Sequence, residues 1–175
     1  MGNSRAVLDL GCGQGASAWF LAREGFRVTA VDFSASAVSK CRKRLESEGL
    51  GLITAVCDMS DLPFEDGSFD AVVDVISTAH NPKPKIDKIF KEVTRVLKPK
   101  GKLFSVTPTN KCSRRPFMDY GTISFMEKFE LEALLEPNFT NLELLTASYQ
   151  INPGCKVENW IVTADRRADQ GECNG

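Results

Sequence analysis

A short apolar strand that runs directly into a glycine-rich loop constrains the fold of this chain more than any other feature. The strand Ala6–Leu10 is followed by glycines at every second position, Gly11, Gly13 and Gly15, and a helix is predicted over residues 16–24. Glycines let a backbone turn tightly and approach a ligand with no Cβ in the way. The following helix points its free N–H groups at whatever is bound there. The pattern therefore predicts a ligand at the carboxyl end of the first strand.

The rest of the chain alternates between predicted strands and helices. Further strands are predicted over residues 26–31, 52–57, 69–76, 102–107, 142–149 and 157–164. Helices are predicted over residues 35–48, 86–97 and 124–136, the last opened by a capping box of Ser124 and Glu127. The alternation predicts an α/β fold with a doubly wound, mostly parallel, seven-stranded sheet. A C-terminal hairpin, turning at residues 152–154, is expected to add an antiparallel strand at the edge.

One domain is expected over residues 1–165, with residues 166–175 forming a disordered tail, because that segment is polar and contains glycine. In a doubly wound sheet the ligand lies at the carboxyl ends of the strands, beside the point where the strand order reverses. The loops after residues 10, 32, 58 and 77 are therefore expected to surround one site.

The glycine loop alone leaves two ligand classes open. Gly11, Gly13 and Ala16 also fit the dinucleotide-binding pattern of NAD(P)-dependent oxidoreductases. Asp9, two residues before Gly11, disfavours a pyrophosphate and suits a ligand that presents an ammonium group. Gly15 completes the pattern D-x-G-x-G-x-G, which dinucleotide binding does not require.

Four segments, taken in order, resemble the class I S-adenosylmethionine-dependent methyltransferases. Residues 7–15 correspond to the family's glycine motif and residues 30–34 to the acidic end of its second strand. Residues 57–70 correspond to the region between its third and fourth strands, and residues 95–103 to the region from the helix to its fifth strand. Lys100 stands where the family usually has glycine. The resemblance runs from residue 6 to about residue 165 and implies the Rossmann-like methyltransferase fold. Within the family it is closest to the small-molecule group that includes the ubiquinone and menaquinone biosynthesis methyltransferases.

The resemblance implies S-adenosylmethionine as cofactor and gives the strand-end residues roles in holding it. Asp32 is expected to accept hydrogen bonds from both ribose hydroxyls, and Phe33 to lie against the adenine face. Asp58 is expected to accept from the adenine amine, and the Met59 N–H to donate to a ring nitrogen. The expected contacts of the methionine part are Asp9, Gly11, Cys12, Gly13, Gln14, Gly15 and, at the end of the fourth strand, Val75.

Several of these residues also have a purely structural interpretation. Asp32 can cap the helix that follows it, Asp58 can be a turn residue, and Phe33 can be packing at a strand end. His80, just beyond the fourth strand, is the candidate general base, because an imidazole titrates near neutral pH. A loop histidine that is hydrogen-bonded to backbone is the alternative.

The composition limits the classes of partner that the chain is expected to bind. The chain has 22 Lys and Arg against 23 Asp and Glu, so no overall field attracts a nucleic acid or an anionic membrane. Methyltransferases that modify amino groups of nucleic acids carry an Asn/Asp-Pro-Pro-aromatic motif after the fourth strand. This chain has no such motif there, so a small-molecule acceptor is expected. A basic segment, with Lys111, Arg114, Arg115 and Tyr120, can meet an anionic substrate or be a solvated loop.

The six cysteines include no C-x-x-C pair, and His80 is the single histidine, so no metal site is expected. All six are interpreted as reduced thiols of a cytoplasmic protein. No signal sequence or membrane-spanning run is recognised.

Family members carry a helical segment ahead of the first strand, which covers the cofactor, whereas residues 1–5 precede it here. A second functional hypothesis is therefore kept beside that of an active small-molecule methyltransferase. The chain would then be a catalytically inactive cofactor-binding module or accessory subunit, with any lid supplied by a partner or another protomer.

Overall fold

The computed structural model describes residues 5–111, 123–153 and 155–168. Its strands are β1 Ala6–Leu10, β2 Arg27–Asp32, β3 Ile53–Val56, β4 Phe69–Val75, β5 Leu97–Pro108, β6 Phe139–Asn152 and β7 Cys155–Arg166. Its helices are α1 Ala16–Arg23, α2 Ala35–Glu46, α3 Lys83–Val96 and α4 Lys128–Leu135, with a 3-10 turn at Thr78–His80.

All seven strands form one sheet, in the order β3-β2-β1-β4-β5-β7-β6. The first five strands pair in parallel, and β7 is antiparallel to both β5 and β6. The predicted doubly wound sheet is confirmed. Its antiparallel strand, β7, lies one position inside the edge because β6 pairs along its outer side. The strand order reverses between β1 and β4, which places the carboxyl ends of these two strands at the switch point.

Two apolar layers hold the helices against the sheet. On one face, Ala18 of α1 and Cys41 and Leu45 of α2 pack on Val28 and Ala30 of β2. On the other face, the apolar stripe of α3 packs with α4 against the central strands, and its buried residues are Ile86, Ile89, Phe90, Val93 and Val96. The indole rings of Trp19 and Trp160 are half-buried against these layers.

Strand β5 begins earlier than the pattern predicts. Leu97 pairs with Phe69 directly after α3 ends, and the register then shifts before Lys102 pairs with Ala71. Helix α3 ends at Val96, three residues before Pro99, which has no N–H for a helical bond. Lys100 has a φ of 63°, so this segment loops outward within the strand. That conformation favours the glycine that the family usually places there.

The predicted capping box at Ser124 is wrong. Helix α4 is capped by Glu127, whose backbone N–H donates to Glu130 Oε2 at 2.8 Å, and it begins at Lys128. Ser124 instead donates from its backbone N–H to Ala79 O at 2.8 Å and from its hydroxyl to Asn81 O at 2.7 Å. These two bonds attach the segment before α4 to the 3-10 turn, so tertiary contacts have taken the groups that a cap would use.

Strand β7 runs through Arg166, and the Arg167 N–H donates to Asn138 O at 2.9 Å. The expected tail therefore begins with residues tied to the sheet, and its residues 169–175 lie outside the described part. Within the described ranges, no helix is both long enough and apolar enough to cross a membrane.

Candidate functional site

A hollow of about 480 Å³ lies at the carboxyl ends of β1, β2, β3 and β4. We call it the switch-point hollow. Seven of the predicted site residues line it, which are Gly11, Asp32, Phe33, Asp58, Met59, Val75 and His80. Four further lining residues were not predicted, which are Ile76, Ser77, Asn81 and Lys85. The expectation that the loops after four neighbouring strands surround one site therefore matches the geometry.

Asp32 ties the glycine loop to the end of β2. Its Oδ2 accepts from the Gly13 N–H and its Oδ1 from the Ser34 N–H, both at 2.9 Å. The alternative that Asp32 caps α2 is wrong, because the N-cap is Ser34, whose hydroxyl accepts from the Ala37 N–H at 3.3 Å. Each carboxylate oxygen can still accept a second hydrogen bond. Asp32 can therefore hold the loop and a ligand hydroxyl together.

The three glycines of the loop are favoured for different local reasons. Gly11, Gly13 and Gly15 all have positive φ values, of 72°, 51° and 82°. A Cβ on Gly11 would lie 2.3 Å from Ser77 Cβ, and one on Gly15 would lie 2.7 Å from Cys41 Sγ. A Cβ on Gly13 meets nothing within 4 Å. Packing thus excludes side chains at the first and third glycines, and the second keeps open space above it.

The remaining loop residues do not line the switch-point hollow. Cys12 is buried and Gln14 is exposed. The hydrogen bond with Cys41, together with burial, raises the pKa of the Cys12 thiol well above its usual range, so it stays protonated. Cys12, Cys41 and Cys57 are free thiols, while the side chains of Cys112, Cys155 and Cys173 lie outside the described residues.

Asp9 is buried directly behind the glycine loop rather than in the hollow wall. It is 1% exposed, and its Oδ2 has no hydrogen-bond partner among the described residues. The pKa of this carboxyl is raised to about 7, chiefly by burial, with the nearby Asp74 and Asp32 adding to the rise and the hydrogen bond from the Ala18 N–H opposing it. A buried carboxyl without a partner is costly when ionised. A cation nearby would therefore favour the ionised form of Asp9.

Asp58 forms the end of the hollow next to β3. Its Oδ1 accepts from the Ser60 N–H at 2.9 Å, and its Oδ2 accepts from Lys85 Nζ at 2.7 Å. The Lys85 bond, with the Ser60 backbone bond, lowers the pKa of Asp58 to about 2. Asp58 is a turn residue, as its structural interpretation predicts, and it also lines the hollow.

The aromatic and sulfur side chains beside these carboxylates are open to a ligand. Phe33 is 80% exposed although it lines the hollow, so the alternative that it packs in the protein is wrong. Met59 is half-buried, and its Sδ lies 3.7 Å from Asn81 Nδ2. An uncovered ring beside a carboxylate suits the flat face of a heterocycle.

The far wall of the hollow is held by a buried carboxylate that the sequence analysis missed. Asp74, 1% exposed in β4, accepts from the Ser77 N–H at 3.0 Å, the Thr78 N–H at 3.1 Å, Thr78 Oγ1 at 2.6 Å and Ser105 Oγ at 2.8 Å. Ile76, between them, has a φ of 65°, which is strained for a β-branched residue. Asp74 thus anchors the 3-10 turn and the strained end of β4. Such strain is concentrated at binding sites.

His80 is exposed on this wall, and no hydrogen bond of its imidazole is found among the described residues. The alternative of a side chain bonded to backbone is therefore not what the structure shows.

Of the basic segment, Lys111 has its Nζ 4.0 Å from a carboxylate oxygen of Glu158, and Arg114, Arg115 and Tyr120 lie outside the described residues. Within those residues, no group of three or more metal-ligating side chains comes together.

Residues 7–101 match the family model described as a methyltransferase domain. The chain belongs to the methyltransferase domain family. Two curated relatives are similar to this methyltransferase domain over most of its length. Glycine/sarcosine/dimethylglycine N-methyltransferase of Actinopolyspora halophila is 35% identical over 82% of the chain, and demethylmenaquinone methyltransferase of Clavibacter sepedonicus is 32% identical over 90%. The chain spans only 25% and 64% of the lengths of these two proteins.

A solved structure shows the same fold over nearly the whole chain. It is that of a SAM-dependent methyltransferase from Methanosarcina mazei, with a TM-score of 0.80 and 25% identity, and the match covers 97% of this methyltransferase domain and 95% of that chain. The Rossmann-like methyltransferase fold implied by the sequence resemblance is therefore confirmed.

Proposed function

We propose that this domain transfers a methyl group from S-adenosylmethionine to a small-molecule acceptor. The observation that carries the proposal is the convergence of Gly11, Asp32, Phe33, Asp58 and Met59 on one hollow in a chain of this family. The names of the two relatives give glycine, sarcosine and dimethylglycine for one and demethylmenaquinone for the other, all of which are small molecules.

The residues present suit a ligand with a cationic end, a sugar and a heterocycle. The unpartnered Oδ2 of Asp9, with Asp32 and Asp74 nearby, makes the region behind Gly11 favourable for positive charge. Asp32 accepts the ribose hydroxyls while it holds Gly13, and Phe33 lies against the adenine. Asp58 accepts from the adenine amine beside the Met59 N–H. Residues 11–15 and Val75 border the methionine part.

When bound, S-adenosylmethionine supplies an electrophilic methyl group, whose bond to sulfur breaks as the lone pair of the acceptor forms the new bond. The protein aligns the two reactants, which is worth roughly 7–11 kcal/mol when the geometry is good. An acceptor hydroxyl must lose its proton, and His80 stands exposed on the wall of the hollow to take it. The domain is proposed to work in the cytoplasm without nucleic acid or membrane partners, in line with its balanced charge.

Calorimetric titration with S-adenosylhomocysteine and with NADH tests the proposal. We expect S-adenosylhomocysteine to bind and NADH not to bind, since Asp9 disfavours a pyrophosphate at the glycine loop. Binding of NADH alone would contradict the proposal and favour the oxidoreductase hypothesis. Turnover with phenols, quinols and amines then separates an active enzyme from an inactive binding module.

Replacing Asp32 by alanine is expected to weaken S-adenosylhomocysteine binding by roughly 1.5–3 kcal/mol, or about 10- to 150-fold, because charge-assisted hydrogen bonds to the ribose are lost. The loss also includes the bond that holds Gly13. Asp61→Ala is the matched control, since Asp61 is exposed and outside the wall of the hollow. Calorimetry of both variants checks the prediction, and equal affinities would remove Asp32 from the site.

Binding is expected to release a proton from Asp9. The free domain holds Asp9 protonated below about pH 7, because its pKa is raised to about 7. A cation beside the carboxyl favours its ionised form. The affinity for S-adenosylhomocysteine is therefore expected to fall as the pH drops below about 7, by up to about tenfold per pH unit, and to be constant above that pH. Titrations in buffers of different ionisation enthalpy measure the released proton. Asp9→Asn should show neither the proton release nor the dependence of affinity on pH. If the pH dependence were the same in Asp9→Asn as in the native domain, Asp9 would have only a structural role.

A further inference from the structure

The end of the switch-point hollow next to β3 is closed by a side chain from another element. Lys85 lies in the first turn of α3, and its Nζ donates to Asp58 Oδ2 at 2.7 Å. Both residues line the hollow, and the Lys85 side chain is 35% exposed. The helix dipole disfavours a cation in the first turn, so Lys85 does not serve the helix in which it lies.

Asp58 has room for only one more donor. Its Oδ1 accepts two hydrogen bonds from Ser60, from the N–H at 2.9 Å and from the hydroxyl at 2.8 Å. An ionised carboxylate offers about two lone-pair sites on each of its oxygens. The site that remains is on Oδ2, the oxygen that Lys85 already contacts. The adenine amine that Asp58 is proposed to accept must therefore share this oxygen with the Lys85 ammonium.

The ammonium of Lys85 keeps donors that the protein does not use. A lysine has three N–H donors, and no hydrogen bond of Nζ other than that to Asp58 is found among the described residues. Since Nζ lies 2.7 Å from Oδ2, these donors are directly beside the place where the amine would bind. The ion pair of Asp58 and Lys85 thus offers a ligand an acceptor and a donor side by side.

An acceptor beside a donor is the arrangement that recognises adenine. The amine of adenine stands between two ring nitrogens, N1 and N7, and both accept hydrogen bonds. An Asn or Gln side chain reads this base because its amide accepts from the amine and donates to a neighbouring ring nitrogen. Asp58 and Lys85 offer the same two groups from two residues. The Met59 N–H, in the same wall of the hollow, is then left for the other nitrogen.

We propose that Lys85 is a specificity-determining residue for the cofactor, and that its Nζ donates to one of the two ring nitrogens that flank the adenine amine. The Met59 N–H donates to the other nitrogen. The inference rests on the proposed function and deepens it, because it adds a charged side-chain donor to the expected contacts of the base. The base would then be read at three neighbouring atoms, by Asp58, Lys85 and Met59.

A role for Lys85 in positioning alone leads to a different result. Lys85 would then only hold the carboxylate of Asp58 in place, and its loss would change the affinity for every adenine ligand by the same factor. A direct bond makes the effect of losing Lys85 depend on one nitrogen of the ligand. Ligands that lack a single ring nitrogen therefore separate the two roles.

The probes are S-adenosylhomocysteine and its 1-deaza and 7-deaza analogues, in which a C–H replaces the nitrogen on one side of the amine. Calorimetry gives Kd for the full chain and for Lys85→Met, whose side chain has a similar length and no donor. We expect each analogue to bind the native chain roughly three- to tenfold more weakly than S-adenosylhomocysteine, because one hydrogen bond is lost. In Lys85→Met, the loss for one analogue should fall below about twofold, and the loss for the other should be unchanged.

Lys88→Met is the matched control, since Lys88 is exposed on the same helix and lies outside the wall of the hollow. This variant removes a charge of the same sign and should show the native loss for both analogues. If Lys85→Met kept the native loss for both analogues, Lys85 would not contact the base, and the proposal would be overturned. Equal reductions for both analogues, or a reduction in Lys88→Met as well, would also overturn it, by assigning the effect to charge alone.

The affinity of the native chain for S-adenosylhomocysteine keeps the two proposals apart. If S-adenosylhomocysteine fails to bind, the proposed function fails, and the role of Lys85 fails with it. If S-adenosylhomocysteine binds and the losses for the two analogues are the same in the native chain and in Lys85→Met, only the role of Lys85 fails.

Discussion

Replacing Asp74 by alanine is expected to lower the free energy of unfolding by roughly 3–5 kcal/mol, since buried donors left without a partner cost about 1–3 kcal/mol each. The carboxylate is 1% exposed and accepts from the backbone of Ser77 and Thr78 and from the hydroxyls of Thr78 and Ser105. Water that enters the space left by the side chain can satisfy only some of these donors. Urea unfolding followed by circular dichroism measures the loss.

Asp66→Ala is the control for this change. Asp66 is exposed and pairs with Arg95 at 2.8 Å, an interaction worth about 1 kcal/mol or less at the surface. If Asp74→Ala destabilised the domain no more than Asp66→Ala, the carboxylate would not be anchoring the end of β4. We also expect Asp74→Ala to weaken S-adenosylhomocysteine binding, because Asp74 anchors the segment that carries Ser77 and His80, and both residues line the hollow.

The fold was predictable from the sequence because its hydrophobic patterns are strong and local. The mostly apolar runs of β1 and β4, and the apolar stripe of α3, indicate parallel strands and a helix packed against them. Each predicted strand was found, with ends that differ by a few residues. The larger differences, at Leu97 and Ser124, occur where a tertiary contact decides the local structure. Leu97 pairs with Phe69, and Ser124 bonds to Ala79 and Asn81, distant partners that no local pattern contains.

The candidate site was predictable at its strand ends and not between them. Asp32 and Asp58 directly follow apolar strands, so topology alone brings them to one edge of the sheet. Lys85 reaches Asp58 from the first turn of α3, and nothing in its neighbourhood in the sequence indicates that contact. Asp74 did give a signal, since a carboxylate inside an otherwise apolar strand must find buried partners.

Replacing Gly11 by alanine is expected to lower the free energy of unfolding by roughly 3–5 kcal/mol, because left-handed backbone strain of about 1–2 kcal/mol adds to the cost of overpacking. The new Cβ would lie 2.3 Å from Ser77 Cβ and 2.8 Å from its Oγ. Ser77 cannot move aside easily, since its hydroxyl donates to Leu10 O at 2.5 Å and its N–H to Asp74. The clash would therefore push β1 away from the end of β4.

Gly25→Ala separates the two contributions. Gly25 has a φ of 85°, yet its added Cβ meets nothing within 4 Å, so this variant should lose only the roughly 1–2 kcal/mol of backbone strain. The double variant Gly11→Ala with Ser77→Gly removes the atom that clashes and should recover part of the stability lost in Gly11→Ala, although it also loses the serine hydrogen bond. Urea unfolding of the native domain, Gly11→Ala, Ser77→Gly and the double variant measures the coupling between positions 11 and 77. Additive losses would mean that Gly11 is required by its backbone conformation alone, and that contact with Ser77 does not bring the first and fourth strand ends together.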